Sequence, residues 1–542
     1  MKKLLYVLMV LTMMFGLAAC GNTEQDASTS APAAPPATSA SGNSATPAPS
    51  GNPDSAVVPP SPVTEDPDVV NVVLWANGAP PSAQAVARVN ERINEITIPA
   101  INVEMKLQIW DVGTYIGTVA TAVGSGDDID LMCTFPAAAP HFSSMTAQGM
   151  LLPLNDLLAE YGQDILGLIP ADWWSATTQN NKILGVPLFA NKAFDYGIIF
   201  VKEWLDETGY KPEDIRTMDD IYNALKAFQN IHPDKIPLGG DNLTLEFTFP
   251  GYEFITGNYF DTLGDSTAVA AVVEFTPDGR SDYKVVSRYE TNEFQTMRKT
   301  LQSWYNEGLV DKDTITYNGN GVALTVNPNV FACVSVTTPS MQSIVLNSCL
   351  NESIYIKLMD GSLSTAGLTQ MTWALPVSCD VPEAAMKLMN MMYTDARLVN
   401  LIDFGVEGVD YTLNASGQME FLPGVNADTS EYYPNCYNYV TNTLYANTWA
   451  GTDPNVAQKD LAVIQNSITS PLLGFSFDTG KVSDIYALLG QLGHDEYGPA
   501  IFTGAARDSY YDEFISKLYA AGLQTFIDEL QSQVDAWVAV NR

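Results

Sequence analysis

Two apolar runs joined by a short polar bridge constrain this chain more than any other feature. Residues 183–187 (Ile-Leu-Gly-Val-Pro) make a strand-length run ended by Pro187, which cannot donate to a central ladder. Residues 196–201 make a second run, long enough for a buried strand, and Lys202-Glu203-Trp204-Leu205 then open a helix that Gly209 ends. Between them lies Leu188 to Asp195, polar and bendable. A chain that leaves one strand through such a bridge and enters another can link two lobes. The bridge is therefore read as a hinge crossing, with the ligand site in the cleft beside it.

A chain of 542 residues is too long for one ordinary core, so at least two domains are expected, and a hydrophobic content of 46% is that of a foldable globular protein. The formal net charge is −36, and removing a leader that carries Lys2, Lys3 and no acid takes it to −38. Phosphate contact needs clustered Lys and Arg, so this balance argues against nucleic acid as a partner. It leaves a small neutral ligand open, because scattered surface acids mainly keep a protein soluble.

The N-terminus reads as an address. Lys2-Lys3 precede an apolar run over residues 4–19, a signal peptide by charge and length and too short to be read first as a membrane span. The run ends Leu17-Ala18-Ala19-Cys20-Gly21, which resembles the lipobox of bacterial lipoproteins. That resemblance implies cleavage before Cys20 and a lipid on its sulfur; the plainer alternative is a secretory signal cut after Ala19. Residues 21–68 are Ser, Thr, Ala, Pro, Gly and Asn with almost no large apolar side chain, so they predict a disordered tether. As a coil its ends would lie roughly 40 Å apart. Five cysteines remain after Cys20: Cys133, Cys333, Cys349, Cys379 and Cys436. An odd number cannot all pair, none sits at a metal-ligand spacing, and they read mainly as small buried apolar residues.

The globular part alternates strands and helices. Strands are expected at residues 69–75, 101–109 (ending at Trp110-Asp111) and 129–135, with helices from the Ser82 cap to about Ile96, over 115–123, and from Asn155 to Tyr161. Beyond the bridge the pattern continues, with a strand over 331–336 and another over 371–377, then a helix from Pro382. Residues 508–537 carry a helical apolar period (Phe514, Leu518, Leu523, Phe526, Leu530, Val534) broken at Ala521-Gly522, which predicts two helices. This alternation predicts α/β domains built on parallel sheets, whose ligands bind beyond the carboxyl ends of the strands. Those ends are the Asn77 loop, Trp110-Asp111 and Phe135.

Several motifs, in order, resemble a known family. Gly124-Ser125-Gly126-Asp127-Asp128-Ile129-Asp130-Leu131, then Gly149-Met150-Leu151-Leu152-Pro153-Leu154-Asn155, Gly185-Val186-Pro187 and Trp373-Ala374-Leu375-Pro376 are similar to family 1 extracellular solute-binding proteins, the capture subunits of ABC sugar importers. Phe404-Gly405-Val406-Glu407-Gly408, Gly474-Phe475-Ser476-Phe477-Asp478 and Gln531-Ser532-Gln533-Val534-Asp535-Ala536-Trp537 resemble the C-terminal domain of LplA-type lipoproteins. The resemblance implies a two-lobe, periplasmic-binding-protein-like α/β fold with a hinge and ligand cleft, plus a helical C-terminal extension. It implies a first lobe of residues 69–189 with 357–403, and a second of 190–356 with 404–542. The implied function is capture of a carbohydrate, an oligosaccharide by preference, for ABC permease subunits by a monomeric protein held to the membrane through the lipid on Cys20. An extracellular carbohydrate-active enzyme and a sensor lipoprotein that presents ligand to a receptor remain as alternatives.

A sugar cleft needs aromatic platforms for C–H faces and carboxylates or amides for hydroxyls. Trp110-Asp111, at a strand end, supplies one such pair, although the Trp could equally cover a helix. Phe135 ends the third strand. Asn77 and Asn191 are loop amides that could as well be turn formers. Tyr252-Glu253, after Pro250-Gly251, and Phe477-Asp478 in the extension are the second-lobe candidates. Trp173-Trp174 read as cover for a helix. His141, His232 and His494 are isolated, and there is no H-E-x-x-H, paired-cysteine or phosphate-loop motif, so no catalytic residue, metal ligand or cofactor site is assigned. Asp127, Asp128 and Asp130 look like a cation cluster but read better as a helix-ending turn before a strand.

Overall fold

The computed structural model describes residues 66–76, 78–135, 140–190, 192–240, 257–264, 270–316, 322–435 and 442–542. The strands that organise it are β1 (Asp68–Ala76), β2 (Val103–Asp111), β3 (Leu131–Cys133), β4 (Val186–Pro187), β5 (Asp195–Val201), β6 (Ile236–Leu238), β7 (Val330–Thr337), β8 (Ser353–Met359) and β9 (Thr372–Ala374). They form two separate sheets, ordered β2-β1-β3-β9-β4 and β8-β5-β7-β6. Each sheet has its own core. The first is centred on Trp75, Tyr115, Phe135, Trp373 and Tyr393, the second on Phe200, Phe228, Phe294, Phe331 and Phe514.

The first sheet starts as expected. β1 pairs in parallel with β2 from Asp68↔Val103 to Ala76↔Asp111, and with β3. The helix between β1 and β2, α1 (Ala83–Ile101), runs five residues past the expected end. Pro99 lies in its last turn and does not stop it; Asn102, at φ 56°, does, its N–H closing on the Ile98 carbonyl at 2.9 Å. The next helix, α2 (Val112–Ser125), is capped by Asp111 and ended by Gly126. The sheet is not wholly parallel, because β9 returns from the second lobe and pairs antiparallel with both β3 and β4. Asp130 ties the loop before β3 to β1, its carboxylate accepting from the Asn71 backbone N–H at 2.8 Å and from Nδ2 at 3.1 Å.

In the second lobe β5 is central, antiparallel to β7 from Asp195↔Thr337 to Phe200↔Ala332, while β6 runs parallel to β7. The helices that matter below are α3 (Asn292–Asn306), α4 (Pro339–Ser348), α5 (Pro382–Thr394), α6 (Ala396–Phe404), α7 (Val456–Asn466), α8 (Asp508–Ala520) and α9 (Leu523–Asn541). The last two are the expected pair, parted at Gly522, where φ is 105°. Phe514, Leu518, Leu523, Phe526, Leu530 and Val534 enter the second core, so the C-terminal extension is built onto the second lobe.

One boundary differs from the sequence reading. Residues 405–435 pack on the first lobe, not the second. Arg88 of α1 pairs with the buried Asp410 at 2.5 Å, the Ser82 N–H donates to the Glu431 carbonyl at 3.1 Å, and the Tyr432 hydroxyl donates to the Ile402 carbonyl at 2.8 Å. The acids and aromatics of this stretch carry no periodicity that names a partner. Of the cysteines, Cys133, Cys333 and Cys349 are buried and Cys379 is half-buried; Cys436 lies outside the described residues.

Candidate ligand cleft

Three segments connect the lobes. The first runs from β4 to β5. The second runs from β8 to β9, and the third brings residues 442–470 alongside both. The Thr443 N–H donates to the Phe189 carbonyl at 3.3 Å, and the N–H groups of Ile468 and Ser470 donate to the carbonyls of Gly361 (3.1 Å) and Leu363 (2.9 Å). Lys192 is 2% exposed and joins the first two, its ammonium donating to the carbonyls of Leu368 at 3.3 Å and Met371 at 3.1 Å. Burial pulls its pKa down to about 7, while the neighbouring Cys133 sulfur pulls the other way.

These registers fix which strand ends face each other. β4 runs straight into the first crossing, so the carboxyl ends of β1, β2, β3 and β4 lie on the crossing side of the first sheet. β5 starts at that crossing, and the Asp195↔Thr337 pair puts the carboxyl end of β7, and with it that of β6, on the crossing side of the second sheet. The carboxyl ends of β1, β2 and β3 and the start of α4 therefore lie on the sides of their sheets that carry the three connecting segments.

Of the residues singled out in the sequence, Trp110 and Asp111 lie on this border. Trp110 is half-buried, its ring centroid 6.2 Å from that of Tyr115. Asp111 caps α2, accepting from the Thr114 N–H at 3.0 Å and from the Thr114 hydroxyl. Those two bonds, the hydroxyl's first, hold its carboxyl below the usual range. Phe135 corrects the sequence reading: it is 0% exposed, edge-on to Trp75 at 5.4 Å, and so presents no face to a ligand in this structure. A phenyl ring after a short central strand finds more apolar surface inward than at the rim. Phe477 and Asp478 belong to the packing of the extension. The Phe477 ring meets Phe526 edge-on at 5.3 Å, and Asp478 exchanges backbone hydrogen bonds with the Gln533 side chain at 3.0 and 2.9 Å. Asn77, Asn191, Tyr252 and Glu253 lie outside the described residues.

The structure adds a recess, with a buried acid in its lining, that the sequence reading passed over. A small recess at the hinge end of the border is lined by Trp173, Phe189, Thr443, Asp460, Leu461 and Ile464. Asp460 is 4% exposed and accepts from the Ser340 N–H at 3.0 Å, at the start of α4. Burial raises its pKa to about 6, against bonds from Ser340 and Thr338. The signal in the sequence was an acid on an apolar stripe: Val456, Asp460 and Ile464 are the buried face of α7. Among the described residues no group of three or more His, Cys, Asp or Glu is placed to hold a metal ion, and no helix is long and apolar enough to cross a membrane.

Two α/β lobes joined by three crossings define a two-lobe fold of the periplasmic-binding-protein type. The comparisons make the kind more particular. A carbohydrate ABC transporter substrate-binding protein of Streptococcus pneumoniae serotype 4 is 25% identical over 455 residues, covering 82% of this chain and 87% of that one. Among solved structures, the N-glycan transport solute binding protein NgtS of Streptococcus pneumoniae superposes with a TM-score of 0.72 at 19% identity, over 88% of this chain and 100% of that one. The same protein in complex with Man5GlcNAc gives 0.63, over 88% and 99%. The family model described as a domain of unknown function, DUF3502, matches residues 471–539, the extension alone. The chain is thus similar to a carbohydrate ABC transporter substrate-binding protein along most of its length.

Proposed function

We propose that this protein captures an oligosaccharide outside the cytoplasm and delivers it to an ABC importer, tethered through a lipid on Cys20 and acting as a monomer without turning the ligand over. The observation that carries this reading is that both sets of strand ends lie on the sides of their sheets that carry the connecting segments. A ligand seated there touches both lobes, so it favours the shut arrangement by its differential contacts. The named relatives support carbohydrate as the ligand class. Trp110 and Asp111 supply a platform and an acceptor on the first lobe.

The test is a panel of oligosaccharides read by calorimetry and thermal shift. Saturable binding with no sustained release of reducing ends is expected; turnover by the purified protein would reject capture in favour of an enzyme. Metabolic labelling with a radioactive fatty acid tests the tether, and an unlabelled chain in which Cys20 is intact would remove it.

A further inference from the structure

One helix packs against both lobes. On its first-lobe side α7 places Ile464 in the first core, with Leu461 against that core. On its other side it packs on α4, whose Val345 belongs to the second core. The buried face of α7 is the stripe Val456, Asp460 and Ile464, so an acid takes the middle of an apolar row. That acid is the link to the second lobe. Its carboxylate accepts from the Ser340 N–H at 3.0 Å, in the first turn of α4, and Ser340 and Thr338 are themselves buried.

The two sides of α7 are packed unequally. Toward α4 it is sealed by this buried bond. Toward the first lobe it leaves the recess, which Trp173 and Phe189 line on one side and Ala457, Leu461 and Ile464 on the other. A change in how the lobes stand to one another must be taken up on one of these two sides, and the bond to α4 decides which.

Ionisation acts on this seat in a definite direction. Burial disfavours the charged carboxylate more than the bonds from Ser340 and Thr338 favour it, so the seated carboxyl takes up a proton at about pH 6, against 3.8 for a free one. A group that holds its proton more tightly when seated makes the seat firmer as pH falls. The neutral acid still accepts from the Ser340 N–H through its carbonyl oxygen. Among the described residues that face it, Thr338 and α4 carry no ionisable side chain, and neither do Trp173, Phe189 and Thr443 across the recess. Lys459, beside it on α7, is paired with Asp453, and Lys192 of the first crossing donates to the carbonyls of Leu368 and Met371.

We propose that Asp460 is a proton-operated latch between the third connection and the second lobe. Protonated, it fixes α7 to α4, and lobe movement is confined to the recess between α7 and the first lobe. Ionised, it frees α7 from α4. The latch needs no ligand in the cleft, so it stands or falls apart from the capture reading.

The experiment is hydrogen exchange on the full chain at pH 5 and pH 7.5, corrected for the intrinsic exchange rate at each pH. The first turn of α4 is expected to open about tenfold less often at pH 5, the ratio that follows from a carboxyl with these two proton affinities. Helix α5, buried in the first core, serves as the control for changes in global stability. Equal opening of α4 at both pH values, or a change that α5 shows to the same degree, overturns the proposal. Asp460→Asn, uncharged and of the same shape, is expected to lose the pH response of α4; a folded variant that keeps it also overturns the proposal. Should that variant not fold, the comparison of α4 with α5 in the wild type still decides.

Discussion

The ammonium of Lys192, in the first crossing, donates to the carbonyl of Met371, at the end of the second, at 3.1 Å, and both are buried. The bond ties two of the three connections together. It also has a pH signature. In the unfolded chain Lys192 keeps its proton to about pH 10.5, whereas in the fold burial lowers that value to about 7. Between these limits the unfolded state binds more protons, so stability from this group rises with pH, by up to about 1.4 kcal/mol per unit, and below pH 7 it is flat. Urea unfolding midpoints at pH 6, 7.5 and 9 should therefore show the wild type gaining on Lys192→Met as pH rises. Parallel pH profiles would mean that the lysine stays charged in the fold.

Gly361 tests the closeness of the crossings. A β-carbon there would stand 2.1 Å from the Phe194 carbonyl oxygen and 2.7 Å from its carbon, both backbone atoms that cannot turn aside. Gly361→Ala should destabilise the protein by about 2 kcal/mol or more, by forcing the two segments apart. Thermal unfolding decides it; an unchanged midpoint would show that the segments part freely.

Trp110→Ala should weaken oligosaccharide binding by about 1–3 kcal/mol, roughly 5- to 150-fold in Kd, if the ring stacks on the sugar. Because the ring also packs on Tyr115, the variant should melt earlier as well. Trp110→Phe keeps a platform and should recover most of both losses. An affinity unmoved in folded Trp110→Ala takes this residue out of the site.

The extension is held to the second lobe by Arg298 of α3, which is buried, pairs with Asp508 of α8 at 2.8 Å and lies 4.2 Å from the Tyr511 ring. Arg298→Ala removes the stacking and the packed stem and leaves a void; a loss of about 2–4 kcal/mol is expected from denaturant unfolding. Asp508 is exposed, so Asp508→Asn should cost far less. Equal losses from the two changes would assign the effect to the ion pair rather than to the buried guanidinium.

Much of this architecture is legible in the chain because it is local. The run from Tyr196 to Val201 is the interior of β5, and Gly209 ends its helix at φ 82°. The spacing from Phe514 to Val534 gives two helices and their buried faces. The site was legible only in part. Trp110 and Asp111 announce themselves by ending a strand, but whether a ring at such an end turns outward or inward depends on its neighbours. Trp75 draws Phe135 into the core, and no pattern around Phe135 records that.

By itself the sequence determined the two apolar runs, the bridge between them, the helical period of the tail and where its charges fall, because each is a property of neighbours in the chain. Tertiary structure alone decided that residues 405–435 settle on the first lobe, and that Asp460 of α7 caps α4, 120 positions away in the chain. Periodicity states which face of an element is buried; only the packed molecule states against what.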